Sequence, residues 1–165
     1  MFSRIDDFRE SWEEETQSTL KVYRNLTDAS LAQAVKPGGR TLGRIVWHTT
    51  MSLRDIMDEA KQPIPGPHGE DPQPPLPEII RQYEATAKVL EETVSKHWTD
   101  AMLQEKVPMY GEHWTRGRVL GVLVVHQAHH RGQMTVLMRQ AGLLVPGVCG
   151  PAYEDWATYN MPPQT

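Results

Sequence analysis

Two histidines set one helical turn apart, His126 and His130 in HQAHHRGQM, are the residues of this chain whose type and spacing point most directly to chemistry. On a helix the i, i+4 spacing puts both side chains on one face, with their Cβ atoms roughly 5–6 Å apart, close enough for the rings to share one metal ion. That face is otherwise apolar. At about 100° per residue, Val119, Leu123, Met134, Leu137 and Ala141 fall in the same stripe. Paired imidazoles there are either buried and bonded to backbone or polar neighbours, or they are ligands. His129 offers a second pairing with His126 at i, i+3, but it lies about 100° round from His130 and is placed on the helix flank. Gln133, one turn beyond His130, is a candidate partner for an imidazole N–H or for bound water, and equally an ordinary polar helix residue. Gly132 is unfavourable in a helix by about 1 kcal/mol against Ala, which close approach of another helix would offset.

These residues need a scaffold, and the periodicity supplies one. A helix is expected from Val119 to Ala141, ended by Gly142 as a C-cap glycine. A first helix runs from Arg4 to about Leu26, where Ile5, Phe8, Trp12, Thr16, Thr19, Tyr23 and Leu26 recur at threes and fours; Glu13, Glu14 and Glu15 read as its solvated face. Thr27 caps a short helical turn, Asp28 to Ala34, before Pro37-Gly38-Gly39. Thr41 caps a second helix to about Lys61, with Leu42, Ile45, Thr49, Leu53 and Ile56 on its apolar face and His48 on the flank of that stripe. The third opens at Pro77-Glu78, carries Ile80, Tyr83, Ala87, Leu90, Val94 and His97 at heptad-like spacing, and ends near Trp98.

Between the second and third helices, QPIPGPHGEDPQPPLP excludes helix and favours a stiff, extended path. At about 3.1 Å per residue it spans the roughly 30 Å of a 20-residue helix, so it carries the chain back and makes those two helices parallel. Weak alternation around Tyr110-Gly111-Glu112 predicts a short hairpin, with His113 on the surface. The tail, residues 143–165, holds Pro151, Trp156 and Tyr159, too aromatic for a free segment, and is expected to pack on the bundle.

Composition narrows the partners. At 165 residues the chain suits a single domain with a substantial core. A net charge of −4 without a basic run gives no footprint for nucleic acid or an anionic membrane. One cysteine, Cys149, allows neither an internal disulfide nor a thiolate zinc cage. No leader-like N-terminus and no long apolar segment are present, so a cytoplasmic protein is expected.

The expected fold is therefore an all-α four-helix bundle, whose facing helices suit a metal site. If the second helix packs against the fourth, His48 adds a third nitrogen to His126 and His130, leaving positions open for water or substrate. Three neutral imidazoles suit Zn, Ni, Cu or Fe rather than Ca or Mg, and the donor set alone does not choose among those four.

His48 in VWHTT, the HxxxHRGQ pattern about eighty residues downstream, and PGVCGPAYEDW together resemble the DinB/YfiT-like superfamily across nearly the whole chain. The resemblance implies up-down-down-up connectivity, a divalent metal on His48, His126 and His130, and a homodimer. It also implies thiol S-transfer or isomerase chemistry using a small thiol such as bacillithiol, mycothiol or glutathione and a small electrophile. Cys149 stands where the family pattern has tyrosine. Activated-water hydrolysis and non-enzymatic binding in a stress response are the alternative functions.

Overall fold

The computed structural model describes residues 1–163. Its helices are α1 (Ile5–Tyr23), α2 (Leu42–Glu59), α3 (Leu76–His97) and α4 (Arg116–Gln140); a hairpin of β1 (Lys106–Met109) and β2 (Glu112–Thr115) precedes α4. α1 packs on α3 and α4, and α2 packs on the same two, which closes a four-helix bundle with α1 diagonal to α2. Contacts between helices fix their directions. Trp12 donates its indole N–H to Ala87 O at 3.1 Å and Arg9 pairs with Glu91 at 3.0 Å, so α1 and α3 run antiparallel. Ser52 meets His126 and His48 meets His130, so α2 and α4 are antiparallel as well.

The proline linker makes the remaining direction. Arg54 donates to Gly66 O at 2.7 Å and the Trp47 indole to Asp71 O at 3.0 Å, while a Cβ on Gly43 would stand 2.7 Å from Gln73 Nε2. Successive linker residues thus meet successively earlier turns of α2. The chain returns to the end where α2 began, and α3 starts parallel to it. Pro77 sits in the first turn of α3, where its missing N–H costs nothing. The connectivity is up-down-down-up, as expected.

Caps set the other boundaries. Thr41 Oγ accepts from Arg44 N at 3.1 Å and opens α2 as read from the sequence. α4 begins at Arg116 rather than Val119, because Thr115 Oγ accepts from Arg118 N at 3.2 Å; the apolar stripe starts one turn after the cap that nucleates the helix. At its far end Gly142 has φ +75° and Leu143 N donates to Met138 O at 2.9 Å, the 6→1 bond of a Schellman ending.

The core is one cluster, with Phe8, Trp12, Trp47, Tyr83, Leu123 and Met138 among its fully buried side chains. Two sequence expectations are corrected here. Glu15 is buried, not part of the solvated face, because Arg131 of α4 pairs with it inside the bundle. The tail packs through Leu143, Val145, Val148 and Ala152, whereas Trp156 is half-buried outside that cluster and Tyr159 is 60% exposed; short aliphatics rather than the aromatics hold it. Residues 164 and 165 of that tail lie outside the described residues. No helix among the described residues is long and apolar enough to cross a membrane.

Candidate metal centre

Antiparallel packing of α2 on α4 brings His48 over the turn that carries His126 and His130. One ligand nitrogen from each ring lies within 4.8 Å of the others. Ring centroids stand 5.3 Å (His48–His126), 4.8 Å (His48–His130) and 4.4 Å (His126–His130) apart, all edge to face. His130 is 5% exposed, while His48 and His126 are half-buried, so the cluster has a buried base and an open mouth.

Neighbouring groups fix the tautomers. Ser52 donates its hydroxyl proton to Thr49 O at 2.9 Å, which leaves Ser52 Oγ to accept from His126 Nδ1–H at 3.3 Å. Gln133 lies between two rings: its Nε2 donates to His129 Nε2 at 3.0 Å and its Oε1 accepts from His130 Nδ1–H at 2.9 Å. This network assigns both Nδ1 atoms as protonated. His126 Nε2 and His130 Nε2 then present lone pairs to each other at 3.1 Å. Two acceptors at that distance repel unless a cation lies between them. Nitrogens bound to one zinc-sized ion at about 2.0–2.1 Å stand about 2.9–3.4 Å apart at angles of about 90–109°, and 3.1 Å falls within that range. The donor set therefore fits a divalent transition-metal ion.

Burial pushes the His48 and His126 imidazoles from 6.5 down to about 4, with the charge of His130 acting in the same direction. His130 is lowered too, mainly by burial, with the Gln133 hydrogen bond opposing the shift. At neutral pH all three rings are neutral and their lone pairs are available.

Other candidates lie elsewhere. His129 is exposed and reaches the cluster only through Gln133; His113 is on the hairpin surface. Arg54 bonds Asp58 and Gly66 O, and Glu59 accepts from Tyr110 N at 3.0 Å, so both serve local structure. Arg131, 3% exposed, turns to the other side of α4, where Glu15 takes it bidentately, Thr19 accepts at 3.0 Å and Cys149 Sγ lies at 3.7 Å. Cys149 is exposed, with its Sγ against Arg131. A Cβ on Gly132 would meet nothing within 4 Å, which removes close helix packing as the reason for that glycine. A cleft of about 970 Å³ between α1 and α3 contains no histidine and is crossed by Arg9–Glu91 and Arg24–Glu84 pairs, so convergent donors, not volume, single out the histidine mouth.

A family model, the DinB family, matches residues 1–165. The chain belongs to the DinB family. As a DinB protein it is 41% identical over 162 residues to the uncharacterised protein YrdA of Bacillus subtilis, an alignment covering 98% of this chain and 97% of that one. A solved DinB-like protein from Bacillus cereus superposes with a TM-score of 0.86 at 40% identity, covering 90% of this chain and 99% of its own. The DinB-like protein YjoA of Bacillus subtilis gives 0.64 at 17% identity, covering 82% and 92%, and speaks to the fold alone. Within this DinB bundle, Ser52 is the site residue that sequence reading missed. Its signal was its place one turn after His48, on the face that meets α4.

Proposed function

We propose that His48, His126 and His130 hold one divalent transition-metal ion, Zn or Ni before Fe or Cu, and that the centre serves transfer of a small thiol onto a small electrophile. One observation carries this reading: among the described residues no carboxylate joins the three histidines. A dication held by neutral ligands alone keeps its full charge and favours an anionic fourth ligand that brings its own compensation, as a thiolate does. Hydroxide is the competing anionic ligand, because a three-histidine zinc also activates water, and hydrolysis is therefore the second reading.

When bound, the ion supplies an open position that lowers the pKa of a thiol ligand into the neutral range. The chain's own residues do the rest. Ser52 and Gln133 hold the rings of His126 and His130 with Nε2 turned inward, and the buried base limits access of water. The thiol sulfur forms the new C–S bond, its proton passes to solvent, and the electrophile's leaving group departs with the bonding pair. The test presents metal-loaded protein with bacillithiol, mycothiol, glutathione and cysteine in turn, plus a bromobimane or chloro-nitroaromatic. Thiol consumption faster than in His126→Ala supports the reading. Metal-dependent turnover of esters or amides without thiol consumption would replace it with hydrolysis, and silence in both panels with a binding role.

A further inference from the structure

The charges of this chain are unevenly placed. It holds 21 acidic residues against 17 basic ones, yet residues 29–54 and 113–153 contain no Asp or Glu. Those two segments include the half of α2 that carries His48 and the whole of α4. The arginines show the same asymmetry. Arg4, Arg9, Arg24, Arg54, Arg81, Arg116, Arg118, Arg131 and Arg139 each have a carboxylate oxygen within 4.0 Å. Among the described residues only Arg40 and Arg44 have none. Both are exposed and lie at the end of α2 nearest His48: Arg44 is one turn before His48 on the helix, and Arg40 stands just before the Thr41 cap, another turn back.

Two unpaired guanidinium groups beside a dication site oppose the metal, since like charges repel and no acid offsets them. A surface selected only for holding metal would place carboxylates there. Guanidinium groups, in contrast, present a planar fork of N–H donors matched to carboxylate and phosphate oxygens. We propose that Arg40 and Arg44 form an oxyanion clamp at the histidine mouth, so that the molecule bound there carries a carboxylate or phosphate group at a distance from its reacting end. The clamp orients the ligand from its far end and leaves the open metal position for the reacting group. This inference rests on the metal reading and names the substrate class of that site.

The experiment begins with zinc affinity, measured by competition with a chromophoric chelator on wild type and on Arg40→Gln/Arg44→Gln. The variant should bind zinc as tightly as wild type or a few-fold more tightly, because two opposing charges have been removed. Zinc-loaded protein is then titrated calorimetrically with succinate, phenyl phosphate and neutral succinamide. Succinate or phenyl phosphate should bind, whichever is stronger naming the group, with affinity falling as salt rises. The double variant should lose at least tenfold, and Arg44→Lys should keep part of it. Absence of zinc binding sinks the metal reading and the clamp together, and appears before any anion is added. A zinc-loaded wild type that binds neither anion better than succinamide, or a double variant that binds them equally well, overturns the clamp and leaves the metal reading standing.

Discussion

Each imidazole of the cluster contributes one nitrogen, so deletions should rank by what they remove. His126→Ala and His130→Ala should abolish stoichiometric metal, His48→Ala should weaken it severely, and His129→Ala should leave it nearly intact. Gln133→Ala should lower affinity about tenfold by freeing the His130 ring; equal effects of the His129 and His130 changes in a chelator competition would overturn the site's geometry. Acid should act late. Free histidine gains its proton near pH ~6.5, but His48 and His126 do so only near 4, so bound metal should persist through about pH 6 and leave as pH approaches 4. For the metal-free protein the sign is the same. Between those values the unfolded chain binds more protons than the folded one, so the melting temperature should drop as pH falls from about 6.5 toward 4. At this scale the His126/His130 pair was legible because a 3.6-residue period converts spacing into a face. Glu15, Gln127 and Arg131 were not, because a polar residue is buried only when a partner far away in the chain meets it. Here Thr19 and Tyr83 meet Gln127, and Glu15 meets Arg131.

The helices show the same division between local signal and tertiary partner. Thr41 and Gly142 were readable as caps, and the prolines as an extended crossover, since each imposes its geometry without help from elsewhere. The start of α4 escaped, because Thr115 lies at the end of a strand. Two predictions belong here. Gly132→Ala should raise stability by about 1 kcal/mol in denaturant unfolding, as its Cβ would point into open space. Arg131→Ala should cost about 3–5 kcal/mol by leaving Glu15 charged and unpaired inside the bundle, whereas Glu15→Leu combined with Arg131→Met should recover most of that loss.

For the molecule as a whole, the up-down-down-up bundle follows from four amphipathic segments and one long crossover, each segment with its own apolar stripe to bury, so the bundle should fold without metal. Chelation should therefore leave the helical circular dichroism intact and lower the melting temperature only as far as loss of a native-state ligand requires. The most direct test of a three-histidine centre that accepts a thiol is titration of the metal-free protein with cobalt(II), followed by visible absorption. Saturation at one equivalent, and a sulfur-to-cobalt charge-transfer band on adding a small thiol, are the predicted results, both lost in His126→Ala. Unchanged binding in His126→Ala, or a loaded centre whose spectrum ignores every thiol offered, would contradict the account.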